Sequence, residues 1–160
     1  MKKESEDGMF ELNFLSLMTF FIYCTLFIFR CEPSFAQALD KITVALPGGK
    51  TIKTLVADNS KTRALGLMGY SHLKPDEGMV FIFENYETHM MWMKNMLISI
   101  DIIWLDEEKE IVDIIPSIPP CRNDPCPIYG PSAPSKYVLE ISDRASSLYH
   151  LQKGLKLKFP

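Results

Sequence analysis

Beyond residue 38 apolar and polar positions alternate along most of the chain, and the alternation predicts a protein built mainly of strands. Lys41 to Leu46, KITVAL, repeats with period 2, Pro47-Gly48-Gly49 supplies a turn, and Thr51 to Ala57 alternates again, so the two runs are expected as a hairpin. Asn59-Ser60 can cap a short helix from Lys61 to Met68, with Ala64, Leu65, Leu67 and Met68 as its apolar stripe and Gly69 as its stop. Gly78 to Phe83, GMVFIF, is a continuous apolar run short enough for a strand buried on both faces. His89 to Met93 and Ser99 to Leu105 read as strands joined through Lys94-Asn95-Met96, and Lys109 to Ile115 follows the turn Asp106-Glu107-Glu108. Ile111, Ile114 and Ile115 break strict alternation, as a bulge or two-sided burial would.

Pro116 to Pro134 holds seven prolines and two cysteines and is expected to be irregular. Lys136 to Ile141 reads as a strand, Ser142 to Gln152 as a short helix capped by Ser142 or Asp143, and Gly154 to Phe159 as a last strand. About seven strands against two helices, with hairpin-length connections, predict a mainly β fold. Its expected form is a small antiparallel β-barrel, or a strongly curved sheet, with two short peripheral helices.

The N-terminus has a different pattern. Phe14 to Phe29 is uncharged and strongly apolar, and Ala36-Gln37-Ala38 follows it as a small-residue cleavage signal. A run of about 16 residues suits a signal peptide better than a bilayer span, which needs about 20. The expected organisation is therefore a signal peptide, or an N-terminal anchor, over 1–38 and one β-rich domain over 39–160. The acidic residues Glu4, Glu6, Asp7 and Glu11 are atypical for such a leader; a start at Met9 would drop the first three. The expected location is periplasmic or secreted, with tethering to the inner membrane if the segment is not cleaved.

Cleavage after Ala38 removes Cys24 and Cys31 and leaves Cys121 and Cys126, which in an oxidising compartment are expected as a disulfide. The alternatives are a redox-active pair and a metal pair, although His72, His89 and His150 show no ligand spacing near them. From Leu39 onward 14 basic residues face 15 acidic ones, so no concentrated basic face is expected for nucleic acid or an anionic membrane. Contact with a membrane is expected only through the N-terminal segment. No cofactor or metal is assigned.

The chemically dense stretch is His89 to Met96, HMMWMKNM. Its methionines can fill irregular core space, or act as soft thioether ligands for cuprous copper, although period 2 would scatter them over two faces. A third reading takes Trp92, Lys94, Asn95 and Asp101 as a pocket lining at strand ends. Lys94 and Asp101 both sit among apolar neighbours, so each needs a partner, and a Lys94–Asp101 pair is one arrangement. The chain lacks a nucleophile elbow, a glycine-rich phosphate loop and a His-x-x-x-His spacing.

Arg63-Ala-Leu-Gly-Leu-Met68, Gly78 to Phe83, Trp92-Met-Lys-Asn95, Ile100 to Asp106, the two Pro-Cys pairs at Cys121 and Cys126, and Tyr137-Val-Leu-Glu140 resemble, in order and spacing, the family called domain of unknown function 192. The resemblance spans Leu39 to Phe159 and implies a small β-barrel-like domain, often exported or membrane-tethered, with no established reaction. The chain departs from the family pattern at Tyr70, Met96 and Ser99, where arginine, threonine and proline are usual. Arg63, Lys94, Asn95 and Asp101 match it and join Trp92 as candidate ligand-binding residues. The expected function is an exported module that binds a small ligand or an envelope partner near Trp92 to Asp101. An envelope enzyme using Lys94 and Asp101 as acid and base, and a structural or assembly role, are the alternatives.

Overall fold

The computed structural model describes residues 39–160; the apolar export segment and its cleavage signal lie outside the described residues. Within them run strands β1 (Lys41–Ala45), β2 (Thr51–Ala57), β3 (Glu77–Glu87), β4 (Met91–Trp92), β5 (Ile100–Leu105), β6 (Ile111–Ile118), β7 (Ile128–Tyr129) and β8 (Ser135–Ser142), with helices α1 (Ser60–Leu65) and α2 (Ala145–Leu148). Six strands form one sheet in the order β1-β2-β3-β8-β5-β6, and β4 pairs with β7 in a separate two-stranded ribbon. No described helix is long and apolar enough to cross a membrane.

The fold is mainly β with two short helices, as the alternation predicts, but the sheet is mixed and does not close into an antiparallel barrel. The β1–β2 hairpin forms as expected, whereas β2 and β3 run parallel. Parallel neighbours need a crossover, and residues 58–76, which include α1, provide it. The two ends of the sheet are not paired with each other; the C-terminal segment links them instead. Lys156 bridges Glu110 before β6, and Lys158 bridges Ala45 of β1. Edge strands of a flat six-stranded sheet would stand about 24 Å apart, at about 4.8 Å per step, so so short a link requires the sheet to curl. Gly154 to Phe159 thus makes isolated bridges rather than the continuous strand its alternation suggests.

Helix α1 is shorter than the Lys61 to Met68 expected. The Thr62 N–H donates to Asn59 Oδ1 at 3.0 Å, the Asn59 N–H donates to Thr62 Oγ1 at 3.2 Å, and Gly66 ends the helix at φ 50°. The expected helix over Ser142 to Gln152 shrinks to one turn, because Arg144 and His150 adopt φ of 62° and 53° at either side of it. The proline-rich stretch is less irregular than expected: β6 runs through Pro116 to Ile118, and β7 lies within it.

Both faces of the sheet are covered. One carries Val44, Ile52, Val80, Ile103, Leu139 and Ile141 with Ala145 of α2; the other carries Met79, Phe81, Ile102, Trp104 and Val138 with Leu67, Met93 and Met96 from the loops. Directly paired residues share a face, and sequence neighbours do not. Glu140 pairs with Met79 and Ile102, so it belongs to the second face. Asp101 pairs with Ile141, so it belongs to the first. The sheet stands between them.

Candidate functional site

A cleft of about 240 Å³ opens over the second face. The crossover makes one wall, from Arg63 to Met68, and Met90 to Met96 make the other, with Phe81, Phe83 and Glu140 toward the sheet. Glu140 is the unexpected member. It sits on the central strand β8, is 4% exposed, and its Oε2 has no hydrogen-bond partner among the described residues. Burial, with nothing to offset it, pushes its carboxyl up to about 8. At pH 7 it is therefore mainly a neutral acid. Gly78 lets β3 close on this point, because a Cβ there would stand 2.5 Å from the Glu140 carbonyl.

Of the residues singled out from sequence, Arg63, Trp92 and Lys94 line the cleft. Arg63 Nη1 donates to the carbonyls of Asp58 at 2.7 Å and Ile82 at 2.8 Å, and its guanidinium lies 5.3 Å from the Phe83 ring centroid. Trp92 is half exposed, with Lys94 Nζ 5.9 Å from its ring centroid. Asn95 joins the two walls: at φ 57° its carbonyl accepts the Gly69 N–H at 3.2 Å, and its Nδ2 donates to Met68 Sδ at 3.8 Å.

Asp101 is elsewhere, and the Lys94–Asp101 pair does not form. Lys94 Nζ lies 3.2 Å from both carboxylate oxygens of Asp124. Asp101 is fully buried, and its Oδ1 accepts the N–H groups of Ser117 at 2.8 Å and Arg144 at 3.0 Å. Its Oδ2 accepts the Ser146 N–H at 2.8 Å and the Ser146 hydroxyl. It thus does for the start of α2 what Ser142 or Asp143 was expected to do, satisfying N–H groups that a helix end leaves free. Ser117 and Arg144, both at φ above 50°, are held by the same carboxylate.

Cys121 and Cys126 are disulfide-bonded, with Cα atoms 5.6 Å apart. The ring they close steadies the cleft's outer wall. Met91 and Trp92 pair only with Tyr129 and Ile128 of β7; the Cys121 N–H donates to the Met93 carbonyl at 3.0 Å, and Asp124 inside the ring holds Lys94.

Residues 43–159 match the family model for domain of unknown function 192, described as an uncharacterised ACR. The chain belongs to this family. Its relatives include a UPF0127 protein of Pyrococcus abyssi, 38% identical over 90 residues, an overlap covering 55% of this chain and 69% of that one. A crystal structure from Sinorhizobium meliloti 1021, provisionally described as a transcription regulator, superposes with a TM-score of 0.69 at 26% identity, covering 76% of this chain and 95% of the other. A protein of unknown function from Novosphingobium aromaticivorans superposes with a TM-score of 0.68 at 24% identity, covering 79% and 89%. For a domain-of-unknown-function-192 chain, then, the site rests on its own geometry. Two of the blocks that carry the resemblance, Arg63 to Met68 and the Trp92 to Lys94 part of Trp92 to Asn95, fall on the two walls of the cleft, and the Tyr137 to Glu140 block ends on its buried carboxyl.

Proposed function

We propose that this protein is an exported binding module whose ligand occupies the cleft between Arg63–Met68 and Met90–Met96. The observation that carries the reading is Glu140. A buried carboxyl without a partner is costly to the fold, and functional clefts are where such costs recur. A ligand that fits must bring what Glu140 lacks, either a hydrogen-bond acceptor for the neutral acid or a positive charge that holds it ionised. The mostly apolar lining, with few polar groups, suits a compact ligand. The acid–base enzyme reading loses its pair, since Lys94 and Asp101 lie with different partners.

A partner in the envelope is a second reading, favoured by Leu65, Met90 and Trp92, which line the cleft while more than half exposed, and by Ile128 beside Trp92. The two readings use one face.

The test uses Nile red, a neutral apolar dye, on the full chain. Saturable binding to wild type is expected, and Ala64→Trp, a change at an exposed position of α1 that fills the cleft, is expected to abolish it without lowering the melting temperature. Equal binding by both proteins, or none by wild type, defeats the proposal. Export is tested separately: N-terminal sequencing of the protein from an envelope fraction is expected to begin at Leu39, and an intact Met1 or Met9 terminus overturns cleavage.

A further inference from the structure

We infer that the ligand of this cleft is a soft monovalent metal ion, Cu(I), held by the thioether sulfurs of Met68, Met90, Met91 and Met96. The inference rests on the cleft being the binding site. A regular strand would have sent these sulfurs to opposite faces. The chain does otherwise: β4 pairs for two residues only, then turns through Asn95 at φ 57°, so that Met90, Met91 and Met96 line one cleft and the crossover adds Met68.

Methionines used for packing look different here. Met79 and Met93 are 0% and 1% exposed in the core, whereas Met90 is 55% exposed and Met68 and Met91 are half-buried at the cleft; Met96 does both, lining the cleft while 7% exposed and packed on the second face of the sheet. Two of the cleft sulfurs have set places. Met68 Sδ accepts the hydrogen bond from Asn95 Nδ2, and Met90 Sδ lies against Gly130, where any Cβ would displace it.

Thioethers are neutral and soft, and they select Cu(I) over the harder divalent ions that carboxylate and water ligands suit. The carboxyl of Glu140 lies in the same cleft as an oxygen donor, and the exposed indole of Trp92 offers a π face to a cation. Neither cation at the cleft is bonded to the Glu140 carboxyl: Arg63 is held by the Asp58 and Ile82 carbonyls, and Lys94 Nζ by Asp124, although Lys94 Nζ also lies 5.9 Å from the Trp92 ring centroid and shares that ring with any second cation. The ion enters and leaves as Cu(I), so no electron changes hands.

Silver(I), a redox-inert stand-in, tests this on the full chain with Cys24→Ser and Cys31→Ser, the Cys121–Cys126 bond intact, and methionine methyl groups labelled with ¹³C. Silver is expected to shift the methyl resonances of Met68, Met90, Met91 and Met96, to leave Met79 and Met93 in place, and to change Trp92 fluorescence. Losing a residue that merely supports a metal ligand costs about 10- to 100-fold in affinity, so replacing Met68, Met91 and Met96 together with leucine should weaken silver binding by more than about 100-fold. The melting temperature should hardly move, since leucine and methionine fill similar volumes. Absence of saturable silver binding, unchanged affinity in the leucine variant, or shifts confined to other methionines overturns the inference. Nile red separates the failures: a dye that binds where silver does not leaves the cleft as a site for another ligand, and loss of both removes the site.

Discussion

Asp101→Asn is expected to lower the stability of the domain by about 3 kcal/mol, whereas Lys94→Met should change it by less than about 1 kcal/mol. The aspartate is fully buried and takes hydrogen bonds from Ser117, Arg144 and twice from Ser146. An amide of the same shape turns one acceptor into a donor that faces other donors, and each unmet buried donor costs about 1–3 kcal/mol. The charge that strengthens all four bonds also goes. For a domain of this size the loss corresponds to roughly 10 °C or more in Tm. Lys94 has no such stake. Its partner Asp124 is 70% exposed, so their pair is a surface ion pair screened by water. Thermal melts of both variants and wild type check this. Similar drops in both would mean that the two residues are coupled after all. A stable Asp101→Asn that fails to bind would return Asp101 to the cleft.

The contrast shows what the chain's pattern could and could not say. Sequence spacing identified Asp101 correctly as a charge in an apolar run that must find partners. It could not say which, because the donors come from Ser117, Arg144 and Ser146, residues 16, 43 and 45 positions away. Strand existence was legible wherever period 2 was strong, as in KITVAL and KYVLEI. Strand order was not, since the parallel β2–β3 pairing depends on a crossover that packs Leu67 onto the sheet, a contact between distant segments. The same gap hid Glu140. In KYVLEI it alternates with Leu139 and Ile141 and reads as a solvent-facing residue of a half-buried strand. It is buried because β8 lies between β3 and β5 and because the loops holding Leu67, Met93 and Met96 cover its face. The methionines are a related case: a strand drawn from His89 to Met93 scatters them over two faces, whereas with the short β4 and the turn at Asn95 Met90, Met91 and Met96 line one cleft, and Met93 packs in the core as the filling reading expects.

The second large effect follows from Glu140. In the unfolded chain its carboxyl ionises near the ordinary glutamate value of 4.5, whereas in the fold burial pushes it up to about 8. Between those two values the folded protein keeps a proton that the unfolded chain has released. Stability therefore falls as pH rises across this window, and above about 8 it levels off, because both states are then ionised. Each unit of difference is worth about 1.36 kcal/mol, so the whole penalty is at most about 5 kcal/mol. Glu140→Gln has no proton to lose. Its stability should match wild type near pH 4.5 and exceed it by several kcal/mol at pH 8. Denaturant unfolding of the two proteins from pH 4.5 to 8.5 reads the difference directly, because titrations elsewhere cancel in the comparison. A difference that stays flat with pH would mean that the carboxyl is hydrated or paired in solution, and the cleft would lose the feature that marks it as a site. A rising difference would show that the fold is more stable without this acid, which is what a residue placed for a ligand costs a protein. On the Cu(I) reading, Glu140→Gln also loses the oxygen anion while all four thioethers stay, so silver affinity should fall even as stability rises. Opposite signs in the two measurements are what a purely structural role for Glu140 cannot produce.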